Sequence, residues 1–185
     1  MLRGHQQLIT SVTFSPDSKI VISTSDDETV RFWDAATGAI LRKIEVESGA
    51  LNLAVVSPCG NLIAAEFNTT FGIWSAAMDA PLKTLQGHSH PVRCVVFSSD
   101  GKVVASASYD ETVRLWDTAT GALLQSLEGH LYSVNSVIFS PNNRVVASAS
   151  YDATVRLWDL GCRDRISVAN IEGPFLFGHV SSIIT

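Results

Sequence analysis

The sequence is short of charge and cysteine, and it lacks any long apolar run. Charged residues make up 17% of its 185 positions, and the formal net charge is −5. Lysine and arginine form no cluster, which excludes a broad phosphate-binding surface, so no nucleic-acid partner is expected. Three cysteines, Cys59, Cys94 and Cys162, lie far apart with no C-x-x-C pair. That spacing argues against a disulfide framework. It fits free thiols in a reducing, intracellular setting, read here as cytoplasmic with the nucleus also open. No apolar stretch approaches the roughly 18–20 residues of a membrane-spanning helix, so no membrane partner is expected. The segment "MLRGHQQLITSV" has neither an apolar core of secretory length nor a small-residue cleavage site. GxxxxGK[ST] phosphate loops and GxSxG nucleophile elbows are both missing. No segment keeps a helical period, so no helix longer than a turn is expected.

What the sequence does contain is repetition. "VVASASYDETVRLWD" at 103–117 returns as "VVASASYDATVRLWD" at 145–159, with Glu111 against Ala153 as the one change. The four tryptophans, Trp33, Trp74, Trp116 and Trp158, recur at an almost constant interval. Aspartate follows three of them, and Ser75 follows Trp74. Gly4-His5, Gly87-His88 and Gly129-His130 each place a histidine at one fixed distance before a tryptophan. Gly178-His179 opens a further partial unit. A catalytic sequence needs its chemistry once; a stacking unit needs several copies.

Each unit reads as short strands. "VRCVVF", "KVVASAS" and "TVRLWD" are rich in β-branched residues, with turn formers between them. "SPDS", "SPCG", "SSDG" and "SPNN" join the first two strands, with Gly or Asn where a left-handed residue is needed. "AATG" and "TATG" join the third strand to a fourth, with Gly38 and Gly121 as left-handed positions. The fourth strands are "AILRKIEV", "PLKTLQ" and "ALLQSLE". Four such strands with two partly apolar faces cannot hide a core alone and must be covered by copies of themselves. In its combination of GH, SPDG-type and WD elements at fixed spacing, the chain resembles the WD-repeat family along essentially its whole length. The expected fold is therefore all-β: a β-propeller of about four four-stranded blades, as an open arc or part of a larger ring. The expected organisation is one domain over 1–185, with units at about 4–46, 47–86, 87–128 and 129–177 and a partial fifth at 178–185.

Histidine, serine and aspartate recur together as His5, Ser23, Asp27; His88, Ser106, Asp110; and His130, Ser148, Asp152. Those are the parts of an acyl-transfer site. Yet three identical nucleophiles, one to each repeat unit, serve no single reaction. The resemblance implies instead a hydrogen-bonded network inside each blade, completed by Trp33, Trp116 and Trp158. One histidine per blade cannot converge on a zinc ion, so neither metal nor cofactor is expected. Arg31, Arg114 and Arg156, each next but one before a tryptophan, are expected to pack on neighbouring side chains. The second unit departs from the pattern: Glu47 falls near the histidine position, Ala64 or Ala65 replaces the serine, and Asn68 replaces the aspartate. It is expected to keep its shape by packing alone, with the loosest turn of the four.

Comparing 88–117 with 130–159 gives 19 identities in 30 positions, and five of the eleven differences fall just after Gly-His. A constant scaffold with variable strand entrances suits a recognition surface. The family resemblance places at the top opening Leu8, Thr10 and Asp26; Pro91, Arg93 and Tyr109; Ser133, Asn135 and Tyr151; and, in the second unit, Asn52 and Phe67. Aromatic and arginine side chains favour Tyr109, Tyr151, Phe67 and Arg93 as anchors for a protein or peptide. The expected function is a non-catalytic interaction platform. Its repeats are similar to the WD arrays of fungal vegetative-incompatibility-type (NACHT–WD) signalling proteins, which would make it the sensor part of a larger protein. The alternatives are a purely structural array or a propeller-based enzyme. The wording at both ends also suggests a fragment of a longer array, or self-association that covers exposed terminal blades.

Overall fold

The computed structural model describes residues 1–45, 51–67, 70–75 and 81–161, with backbone alone for residues 51–53, 66–67, 70 and 81–82. These residues form fifteen strands and no helix. The first sheet contains β1 (Ile9–Phe14), β2 (Ile20–Ser25), β3 (Thr29–Asp34) and β4 (Ile40–Glu45). The second contains β5 (Leu51–Val56), β6 (Leu62–Phe67), β7 (Thr70–Ser75) and β8 (Pro81–Leu85). The third contains β9 (Val92–Phe97), β10 (Val103–Ser108), β11 (Val113–Asp117) and β12 (Leu123–Leu127). The fourth shows β13 (Val134–Phe139), β14 (Val145–Ser150) and β15 (Val155–Asp159). Each sheet is an antiparallel meander in chain order. The fourth strand expected of the last unit lies outside the described residues, as do Cys162 and Gly178-His179.

The turns follow their sequence. In all four units a serine precedes the β-hairpin turn and accepts, through Oγ, the N–H that restarts the chain: Ile20 on Ser15, Leu62 on Ser57, Val103 on Ser98 and Val145 on Ser140, at 2.9–3.0 Å. The left-handed residue stands at Ser18, Gly60, Gly101 and Asn143, and Gly38 and Gly121 take the same conformation before the fourth strands. The β2–β3-type turns hold a surprise. Their left-handed residues are Glu28, Glu111 and Ala153, side chains with no preference for that region.

The four sheets stack in chain order, with β1 beside β5, β5 beside β9 and β9 beside β13. Three apolar clusters fill the gaps. Ile22, Val30 and Phe32 of the first sheet meet Ile63 and Trp74 of the second. Ala64, Phe71 and Ile73 of the second meet Val92, Val95 and Trp116 of the third. Ala105, Ala107, Val113 and Leu115 of the third meet Val134, Val137, Phe139 and Trp158 of the fourth. Every inner sheet is thus apolar on both faces, which is why its strands read as nearly continuous apolar runs rather than clean alternation. Among the described residues no helix is long and apolar enough to cross a membrane.

Near-identical segments in different surroundings allow a direct test of this packing. Ala107 is fully buried against the fourth sheet, whereas its counterpart Ala149 is half-buried. Ala107→Leu should therefore cost about 1–3 kcal/mol by overpacking, and Ala149→Leu clearly less. Urea denaturation of the two variants checks the difference.

Candidate functional site

The repeated polar residues converge inside three of the sheets. In the third, His88 Nδ1 lies 2.7 Å from Asp110 Oδ2, and Nε2 lies 2.7 Å from Ser106 Oγ. Trp116 Nε1–H donates to the same Ser106 Oγ at 2.9 Å. The first sheet repeats this with His5, Asp27, Ser23 and Trp33 at 2.7–2.9 Å. The fourth does so with His130, Asp152, Ser148 and Trp158 at 2.7–2.8 Å. The backbone N–H after each histidine (Gln6, Ser89, Leu131) also donates to the aspartate.

Directions of proton donation follow from this geometry. The serine Oγ accepts from tryptophan and donates its O–H to histidine Nε2. The ring then carries its proton on Nδ1 and donates to the carboxylate. Burial pushes the His130 imidazole below its usual range, against the pull of Asp152, so the neutral ring is favoured. Burial opposes ionisation of Asp110 as well. Hydrogen bonds from His88, Thr112 and the Ser89 N–H outweigh it and hold the carboxyl well below the ordinary range. Asp27 and Asp152 are held down in the same way.

Two parts of the network went unseen in the sequence. Thr29, Thr112 and Thr154 donate their hydroxyls to the aspartates at 2.5–2.7 Å, although their constant place just after Asp was visible throughout. The glycine of each Gly-His also acquires a reason. A Cβ on Gly4, Gly87 or Gly129 would run into the guanidinium of Arg31, Arg114 or Arg156. The arginine that shortly precedes each tryptophan therefore fills the space that the glycine leaves. In the second sheet the arginine position is taken by Gly72, where a Cβ would run into the Trp74 ring itself. That unit has dropped the arginine together with the polar set, and its tryptophan lies over the vacated backbone. Asn68, and with it the expectation of a loose turn, lies outside the described residues.

The entrances of the first strands form a second group. In β1, β9 and β13 the ladder shifts register, leaving Thr10, Arg93 and Asn135 as the extra residues of a bulge. Bulges re-aim side chains at sheet margins. Backbone bonds of 2.9–3.0 Å join Asp26 to Leu8, Tyr109 to Pro91 and Tyr151 to Ser133, so each predicted triplet is brought together. Arg93 lies over the Tyr109 ring at 5.4 Å, and Ser133 Oγ reaches the Tyr109 carbonyl of the neighbouring sheet at 3.4 Å. Tyr151 is 50% exposed. Thr10 faces inward to Thr24 at 2.9 Å. Asn52 falls at an irregularity of the β5–β6 ladder and Phe67 ends β6; the side chains of both lie outside the described residues.

Three repeat units match the WD domain, G-beta repeat family model, at residues 1–34, 79–117 and 121–159. The chain belongs to the WD-repeat family. The stretch passed over by the family match, 35–78, contains most of the degenerate second unit, which nevertheless forms a complete WD-type sheet. Among its relatives is the apoptotic protease-activating factor 1 of Rattus norvegicus, 34% identical over 106 residues, covering 57% of this chain and 8% of that protein. The target of rapamycin complex subunit wat1 of Schizosaccharomyces pombe is 32% identical, covering 54% of this chain and 33% of its own length. The nuclear distribution protein PAC1 of Arthroderma benhamiae is 35% identical, covering 60% and 26%. The matched region thus spans a third or less of each of these proteins.

The WD network cannot act as an acyl-transfer triad. Ser106 is fully buried, and its oxygen already serves both Trp116 and His88. No carbonyl could reach it. Among the described residues no group of three His, Cys, Asp or Glu side chains could hold a metal ion.

Removing the Asp110 carboxylate strands its buried donors, so Asp110→Ala should cost about 1–3 kcal/mol in chemical denaturation. Acid should act through the same groups. The three aspartates and His130 all favour their deprotonated forms in the folded state, so their contribution is intact above the unfolded-state values. It should weaken below roughly pH 6.5 through His130, and more steeply below roughly pH 4 through the aspartates. A calorimetric melting series over pH reads both steps; a melting temperature that rises on acidification would contradict the assignment.

Proposed function

We propose that this WD array is a non-catalytic interaction platform that holds a protein or peptide on the rim formed by its bulged strand entrances. The observation that carries the reading is the pairing of Arg93 with Tyr109, beside exposed Tyr151, on a framework that is otherwise nearly identical between the third and fourth sheets. The arginine–tyrosine stack holds both side chains in place before a partner arrives, so little ordering is needed on binding. Leu131 and Tyr132, also exposed, widen the apolar part of this surface. A peptide with an acidic residue for Arg93 and an apolar one for the tyrosines would suit it.

The similarity to arrays of signalling proteins favours a sensor role within a larger assembly.

Peptides selected from a displayed library on the native chain should lose binding when Arg93, Tyr109 and Tyr151 are all replaced by alanine, while the melting temperature stays nearly unchanged. Binding that survives all three replacements would move the site off the rim.

A further inference from the structure

The margin between the second and third sheets is built differently from the margin between the third and fourth. At the later margin two hairpin turns are stitched together. The Ser99 N–H donates to Asn143 Oδ1 at 2.9 Å, and Ser99 Oγ donates to the Pro141 carbonyl at 3.1 Å. At the earlier margin the same two repeat positions are Pro58 and Gly101. Pro58 has neither N–H nor hydroxyl and Gly101 has no side chain, so neither stitch can form. A Cβ on Gly101 would lie 3.9 Å from Pro58 Cδ, an ordinary contact, so a side chain has room there. A third difference joins these two. Leu160 packs on the apolar cluster between the third and fourth sheets, its N–H held by the Arg144 carbonyl. Its counterpart, anchored in the same way on the Lys102 carbonyl, is Thr118.

An open cleft of about 680 Å³ lies at this earlier margin, lined by Leu62, Lys83, Lys102, Asp117, Thr118 and Ala119 beside Gly101. That volume is within the range of roughly 300–1,000 Å³ usual for small-molecule sites. Thr118 is the one buried residue of the lining, at 5% exposure, and its hydroxyl has no hydrogen-bond partner. A buried hydroxyl left unpaired is costly, and a position that only had to fill space would take leucine, as position 160 does. The Lys83 stem reaches across to Gly121 of the third sheet. Among the described residues neither the Lys83 nor the Lys102 ammonium is in an ion pair. Asp117 is already engaged, since its Oδ1 accepts the Thr120 N–H and O–H, both at 2.7 Å.

We infer that this cleft binds a small organic acid, with one carboxylate set among the two ammonium groups and the Thr118 hydroxyl. Its apolar body lies against Leu62 and Ala119. Two lysines against one aspartate leave a single positive charge over, which a singly charged acid neutralises. A phosphate dianion would bring a second negative charge toward Asp117 and is disfavoured. The cleft is made by the β9–β10 and β11–β12 turns, at the opposite end of the strands from Pro91, Arg93 and Tyr109. The inference therefore does not rest on the rim reading.

Titration of the purified chain with phenylacetate, followed through the methyl resonances of Leu62, Thr118 and Ala119, should give saturable shifts at all three. Phenylacetamide, its neutral analogue, and benzyl phosphate should both bind more weakly. Replacing Lys83 and Lys102 together by glutamine should weaken phenylacetate binding by about tenfold or more. Gly101→Asn combined with Thr118→Leu installs the residues of the later margin and should abolish binding without lowering the melting temperature. Asparagine suits the left-handed backbone of Gly101, φ 70°, as Asn143 shows at φ 57°. Should that variant fail to melt cooperatively, the glutamine pair, which leaves the packing alone, carries the test. Absence of saturable shifts with phenylacetate overturns the inference. So does amide or phosphate binding as tight as the carboxylate, an undiminished affinity in the glutamine pair, or binding that survives in the filled cleft. Loss of peptide binding at the rim leaves these outcomes untouched, so the two proposals fail separately.

Discussion

A small sheet with two apolar faces cannot exist alone in water, and this constraint governs the whole molecule. Each sheet here has strands of five or six residues, too few to bury a core between its own side chains. Stability must come from stacking, and each face therefore has to match the next one. The match is met by position rather than by exact sequence. Alanines at 105 and 107 leave hollows, and Val134, Val137 and Phe139 of the neighbour fill them. The arrangement passes from one interface to the next.

The polar network answers a different demand. Stacking apolar sheets leaves the orientation of their strand entrances and turns unspecified. In three sheets a buried serine oxygen shared by tryptophan and histidine ties the third strand to the segment that enters the first, and the aspartate ties that segment to the β2–β3-type turn. Because these groups are out of water, each must be satisfied at the same time, and the local backbone has one solution. The left-handed conformations at Glu28, Glu111 and Ala153 are a consequence of that closure rather than of residue preference. The second sheet shows that the fold can form without it, by laying Trp74 over Gly72.

The proposed function draws on the division between these layers. The network and the interfaces hold the entrance bulges rigidly, while the residues on the bulges vary between units without disturbing what lies below. Arg93 and Tyr109 are poised by each other, and Tyr151 stands exposed beside them. Relatives such as the rat apoptotic protease-activating factor 1 and a fungal nuclear distribution protein match only parts of their length to this chain. In the proposed reading, the scaffold is the part shared with these relatives and the rim side chains would give this array its own surface.

Much of this was legible in the letters. The constant repeat period, serine-led turns and even tryptophan spacing determine strands, turns and their order, because backbone preference and local hydrogen bonding act over short stretches of chain. Histidine, serine, aspartate and tryptophan recur in register, and the resemblance to WD repeats implied that they form a buried network. Other features were decided only in three dimensions. Why Gly-His needs its glycine depends on an arginine from the third strand of the same sheet, which arrives over that backbone through strand pairing. Thr29, Thr112 and Thr154 join the aspartates only once the turn is closed. The burial of Val95 and Val137, equivalent valines of β9 and β13, depends on the neighbouring sheet that packs on each. Local sequence specifies a sheet and both of its faces, but which face meets water is set by neighbours brought there by the rest of the chain.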